Sequence, residues 1–137
     1  LRRVWRETET SYDGKFTRFG PVKSFPKPAR DGGIPIHVGG HTEASARRAG
    51  RIGDGYFPGR AEPELVHLLD VMRASASDAG RDPDEIEVSA GGGVDLDGVK
   101  RFADLGVSRV VIPPLGFDLE TLKTQLGAFS ENVISRA

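Results

Sequence analysis

Cysteine is missing from all 137 residues of this chain. Disulfides, thiolate metal sites and a cysteine nucleophile are therefore excluded, and the fold has to rest on packing and hydrogen bonding. The absence also fits a reducing compartment, so a cytoplasmic location is expected. Long apolar runs are missing too. No stretch approaches the ~20 residues of a membrane-crossing helix, and no signal-peptide pattern opens the chain, so no membrane partner is expected. Charge of one sign is absent as well. Nineteen Lys and Arg stand against 20 Asp and Glu, a net charge of -1 that gives no global pull towards nucleic acid. Histidine is scarce. His37, His41 and His67 lack the spacing of a helical ligand pair, and no metal site is expected. Neither a GxSxG elbow nor a P-loop pattern occurs.

What is present suits one ordinary globular domain, with 37% hydrophobic and 28% charged residues. The first residues, "LRRVWRE", read as the last turns of a helix already under way, which makes the start of the chain look like a cut. Residues 1–33 thus read as the end of a helix plus an irregular surface excursion from Thr8 to Gly33, with a hairpin-like turn at Asp13-Gly14 and a short strand near Phe16–Phe19. Pro26, Pro28 and a glycine pair prevent any helix there.

From residue 34 to 137 the pattern becomes regular. "IPIHV" (34–38), "GYFPG" (55–59), "IEVSA" (86–90) and "RVVIP" (109–113) are strand candidates. Helical spacing follows each: at 43–51; from Glu64, with Leu65, Leu68, Leu69, Met72 and Ala76 on one face; from an Asp95 or Asp97 cap to Leu105; and from an Asp118 cap with Leu119, Leu122, Leu126, Phe129 and Val133 inward. Gly80 and Gly106 are the stops. Strand and helix alternate four times with short connections, which predicts parallel strands joined by right-handed crossovers. An open doubly wound sheet and the (β/α)8 barrel both use this order; against the ~250 residues of a complete barrel, four units make half of one.

Parallel α/β folds bind ligands at the C-terminal ends of their strands. Gly39 and Gly40 stand at such an end, and Thr42 stands where a helix N-cap belongs. Free amides there, together with the positive end of the helix dipole, suit an anion such as phosphate, although a plain βα turn also needs glycine and a cap. His41 lies between them as a candidate donor. "GGGVD" (91–95) reads as a flexible glycine loop with some capacity for anions, and Asp54 as a turn aspartate bonding its own backbone. His37 reads as a packed or barrel-lining strand residue and His67 as a solvated one.

Read together, "FPKPARDGGIPIHVGGHTEASARRAGRIGDGYFPG", "AGRDPDEIEVS" and "FADLGVSRVVI" resemble the luciferase-like monooxygenase superfamily, in its F420-dependent branch. The likeness runs from Leu1 to about Asn132. It implies α/β architecture, the C-terminal half of a (β/α)8 TIM barrel, and a flavin-type cofactor, F420 or FMN, held at the C-terminal barrel face of an oxidoreductase. Gly39, Gly40, His41 and Thr42 match the loop that holds the cofactor phosphate after the fifth strand, and Gly55 and Tyr56 match the sixth-strand end. The strands that flank the reacting ring have no counterpart here, so catalytic residues stay unassigned and the isolated chain is expected to be inert.

Two other readings stand beside this one. A half-barrel with two exposed edges and an apolar inner face is expected to self-associate as a homodimer. An unrelated sugar-phosphate barrel also uses glycine turns, but it needs an acid or base at a strand end, and no Lys occupies one here.

Overall fold

The computed structural model describes residues 1–60, 62–93 and 95–136. Val94, within the "GGGVD" loop, lies outside them. The chain divides into two compact units at Pro35/Ile36.

In the first unit, helix α1 (Arg2–Arg6) leads into an antiparallel hairpin of β1 (Thr10–Asp13) and β2 (Arg18–Val22). Asp13 and Gly14 begin the turn, as their chemistry predicts, and the Asp13 carboxylate pairs with Arg18 at 2.6 Å. The strand near Phe16 starts later than the sequence suggests, because residues 14–17 form the turn itself. Lys27 donates to the carbonyls of Val4 (2.7 Å) and Glu7 (2.6 Å), a cation at the negative end of α1.

The second unit is a parallel sheet in the order β3 (His37–Gly39), β4 (Gly55–Phe57), β5 (Glu87–Gly91), β6 (Arg109–Val111). Helices α2 (Glu43–Ile52), α3 (Glu64–Asp78), α4 (Leu96–Asp104) and α5 (Leu119–Asn132) follow the strands in turn. Thr42, Asp95 and Asp118 accept from backbone amides as N-caps. At Gly80 and Gly106, φ is +68° and +81°, and paired 6→1 and 5→2 bonds close α3 and α4 in the way a left-handed cap requires.

The core lies between sheet and helices. Val38, Tyr56, Val88 and Ala90 project from the strands onto Ala46, Ala49, Leu65, Leu68, Leu69, Met72 and Ala76. The apolar face predicted for α3 is wholly buried. Helix α2 meets α3 through small residues, and a Cβ on Gly50 would overlap the Met72 carbonyl and lie 2.8 Å from the Ala76 nitrogen. Arg81, just past α3, donates its guanidinium to the carbonyls of Gly50 and Gly53 at the end of α2.

Helix α5 departs from expectation. Its stripe was to face inward, yet Leu119 and Leu126 are exposed and no residue within the helix is buried. Only Val133, just beyond it, reaches the interior. Amphipathic spacing identifies an apolar face but does not supply a surface to cover it.

Candidate functional site

Three of the four strands have only three residues, about 10 Å along the chain direction at ~3.3 Å per residue, so the sheet is short. Its two ends differ in chemistry. At the N-terminal end, the Asp54 carboxylate accepts from the Ile36 amide at 2.7 Å, while the Asp54 amide donates to the Ile36 carbonyl at 2.8 Å. The Glu87 amide donates to the Asp54 carbonyl at 3.0 Å. Asp54 thus ties the starts of three strands, at the end opposite the glycine loop. Sequence reasoning foresaw a turn aspartate bonding backbone but not this reach across strands.

At the C-terminal end, β3 gives way to Gly40, whose amide donates to the Phe57 carbonyl at 3.2 Å and whose φ is +135°. A Cβ on Gly40 would lie 2.8 Å from Ser45 Cβ, so glycine is required there by both conformation and space. Gly39 is different: a Cβ there would meet nothing within 4 Å, which leaves the strand end open. His41 and Thr42 are exposed.

Thr42 and Ser45 cap α2 reciprocally. The Ser45 amide donates to Thr42 Oγ1 (3.3 Å), and the Thr42 amide donates to Ser45 Oγ (3.1 Å). Ser45 Oγ in turn donates to the Thr42 carbonyl at 2.6 Å. Two of the amides expected to face an anion are therefore occupied by the cap. Among the described residues, the amides of His41, Glu43 and Ala44 have no acceptor, and all three residues are exposed. Unpaired amides at the positive end of a ten-residue helix favour an anionic ligand.

The Glu43 carboxylate belongs to the same helix end and opposes an anion. It is offset by His67 Nε2 at 2.9 Å and Arg47 Nη2 at 2.6 Å, and these bonds, His67 first, hold it below the usual carboxylate range. His67 is exposed, as its place on the polar helix face predicts, but it is engaged with Glu43.

Tyr56 sits beneath the loop. It is fully buried on the helix-covered face of the sheet, and its hydroxyl donates to the Gly40 carbonyl at 2.9 Å, with Ser45 Oγ at 3.4 Å. Burial raises its pKa, opposed by the Ser45 contact. Gly55 lies on the other face, where the His37 ring occupies the space a Cβ would take. By strand alternation, His37, Phe57, Glu87 and Arg109 share that face. Glu87 and Arg109 form an ion pair there at 2.7 Å, although Glu87 Oε1 is buried without a well-aligned hydrogen bond. Among the described residues, no group of three His, Asp or Glu is arranged to hold a metal ion. No helix among the described residues is long and apolar enough to cross a membrane.

A second glycine loop follows β5. Gly91, Gly92 and Gly93 line a cavity of about 310 Å³ with Glu62, Asp95 and Arg101. Its two carboxylates make it a poorer place for an anion than the loop after β3.

Comparison with known proteins places this geometry in context. The family model for luciferase-like monooxygenases matches residues 1–97. An uncharacterized protein of Mycobacterium tuberculosis is 38% identical over 135 residues, covering 91% of this chain and 46% of that protein. The F420-dependent glucose-6-phosphate dehydrogenase of Mycolicibacterium gilvum is 28% identical over 90 residues, covering 64% of this chain and 26% of that enzyme. Among solved structures, the coenzyme F420-dependent tetrahydromethanopterin reductase of Methanopyrus kandleri matches with a TM-score of 0.79 at 16% identity, covering 98% of this chain and 60% of that one. At that identity the likeness establishes the fold, four βα units of half a (β/α)8 barrel. The chain spans about half the length of the first curated relatives it matches. On the family match and the 38% identity together, the chain belongs to the luciferase-like monooxygenase family.

Proposed function

We propose that this chain supplies the phosphate side of a flavin-type cofactor site, for F420 or FMN, in an oxidoreductase of the luciferase-like kind. One observation carries the reading: the loop from Gly39 to Thr42 and the first turn of α2 present the free amides of His41, Glu43 and Ala44 at a strand end. Gly39 leaves room for a phosphate to approach, Gly40 provides the bend, and Thr42 fixes the helix start. Tyr56 contributes from the neighbouring strand by holding the loop, whereas Gly55 lies at the start of that strand, against the His37 ring and away from the loop. The relatives named for F420 support the choice of cofactor. Bound, such a cofactor supplies hydride transfer to or from a small-molecule substrate, while the chain's own residues bind and orient its phosphate.

The test is a nuclear magnetic resonance titration of the chain with FMN, F420 and phosphate-free riboflavin. Saturable shifts of the His41, Glu43 and Ala44 amides with the two phosphorylated compounds, and not with riboflavin, are expected. Unmoved amides at millimolar FMN and F420 overturn the proposal.

A second reading has its own observation. Among the described residues, β3 and β6 each have a single neighbour in the sheet, leaving two unpaired edges. On this reading two copies pair their edges as a homodimer. Sedimentation velocity at micromolar concentration tests it: a dimer is expected, and a strict monomer refutes it.

A further inference from the structure

Part of the loop's donor character comes from one peptide group, Gly40–His41, and that group faces as it does because of a buried residue on the neighbouring strand. We infer that Tyr56 is a positioning residue whose buried hydroxyl sets the direction of the Gly40–His41 peptide, and so decides whether the loop offers an anion a donor or an acceptor. The inference rests on the reading of this loop as a phosphate site.

A trans peptide is planar, with its carbonyl and N–H pointing in opposite directions. The Gly40 carbonyl accepts from the Tyr56 hydroxyl at 2.9 Å, and Tyr56 is fully buried between sheet and helices. The carbonyl is therefore drawn towards the core, and the His41 N–H points away from it, at a residue that is exposed. Reversing that peptide changes ψ at Gly40, which glycine accepts at little steric cost, and turns φ of His41 positive, so the strain of the reverse orientation falls on His41. Rotation of that one peptide would put the carbonyl outward and turn the loop from anion-accepting to anion-repelling.

Among the described residues, Tyr56 is the only group that bonds this carbonyl. The nearby Ser45 hydroxyl is committed to the Thr42 carbonyl. Removing the Tyr56 hydroxyl while keeping its ring strands the carbonyl on the apolar side, where an unpaired acceptor is costly. The relief is to turn outward.

The experiment compares Tyr56→Phe with Ser45→Ala and the unmodified chain, reading affinity for FMN and for riboflavin by flavin fluorescence. The unmodified chain is expected to prefer FMN. Tyr56→Phe should weaken FMN binding by about five- to tenfold, the equivalent of one net hydrogen bond, and leave riboflavin binding unchanged. Ser45→Ala should lower the thermal midpoint without weakening FMN relative to riboflavin, because it damages the cap and frees the Thr42 amide but leaves the Gly40 carbonyl bonded to Tyr56. A merely structural Tyr56 would weaken both ligands alike. If the unmodified chain shows no preference for FMN, the phosphate site itself falls and this inference with it. If it does prefer FMN and Tyr56→Phe retains the ratio, the inference alone is overturned. Should Tyr56→Phe fail to fold, the unmodified chain still decides: with FMN bound, the Tyr56 hydroxyl proton must stay hydrogen-bonded to the Gly40 carbonyl and slow to exchange, and its release on binding refutes the assignment.

Discussion

Substituting each of the two adjacent glycines by alanine should give opposite outcomes. At Gly40, an L-residue must adopt φ +135°, at a cost of about 1–3 kcal/mol. The new Cβ also lies 2.8 Å from Ser45 Cβ and 2.9 Å from Ser45 Oγ, so Ser45 has to move. Ser45 is buried and forms half of the reciprocal cap with Thr42, an interaction of about 1 kcal/mol. Together Gly40→Ala should cost about 2–4 kcal/mol, a large part of the ~5–15 kcal/mol typical of a domain. At about 4 °C per kcal/mol for a chain of this size, the thermal midpoint should drop by about 8–16 °C. At Gly39 the added methyl meets nothing within 4 Å and the backbone is ordinary strand. Gly39→Ala should therefore change stability by less than about 0.5 kcal/mol. It should still weaken FMN binding, because the methyl fills the open approach to the loop. Calorimetric unfolding of both variants, with FMN titration alongside, is the assay. Equal destabilisation at the two positions, or a larger loss at Gly39, refutes the account of why this loop carries two glycines.

Other predictions follow from the packing and from the charged groups. Gly50→Ala should destabilise by about 1–3 kcal/mol, since its Cβ meets α3 backbone at Met72 and Ala76, which cannot swing aside; chemical denaturation with an unchanged midpoint would contradict the close α2–α3 contact. Gly55→Ala is the milder case, costing under about 1 kcal/mol, because its neighbour is the exposed ring of His37, which is free to rotate. Arg81→Met keeps much of the stem but leaves the last carbonyls of α2 without their donor; a loss of about 1–3 kcal/mol in urea unfolding is expected, and none would show that solvent serves them equally well. Glu43 has a depressed pKa in the folded chain, so its contribution to stability is present above the unfolded pKa and is lost as pH falls through the lower folded one. Following the Glu43 carboxyl carbon by nuclear magnetic resonance, His67→Ala should raise its midpoint; an unmoved midpoint would remove His67 as the main cause.

The punctuation of this fold was legible in the sequence. Thr42, Asp95, Asp118, Gly80 and Gly106 mark helix ends through chemistry local to each end, and every one of them does so in the structure. What depends on register was harder to read. Tyr56 belongs to a strand of three residues, too short for alternation to declare its inner side, and only its pairing with Val38 assigns it to the helix-covered face. The Thr42–Ser45 cap was half visible. Thr42 looked like an N-cap, but the reciprocal bond uses serine where glutamate or glutamine is the usual signal. Asp54 reads locally as a turn residue, and its bond to Ile36 spans 18 positions that only the folded sheet brings together. Leu119 and Leu126 are spaced as a core stripe and are exposed, because periodicity describes the helix and not its surroundings.

That uncovered helix gives the chain an opening order. Hydrogen exchange reports how far each segment must unfold before its amides meet water. Helix α3 buries five residues, from Leu65 to Ala76, and its amides should become labelled only when the second unit opens as a whole. Helix α5 buries none, and it should detach and exchange while the sheet is still intact. A protease cutting under native conditions should accordingly attack first between Asp118 and Asn132, releasing the last helix and leaving the glycine loop and its tyrosine support on a shorter, still folded remainder.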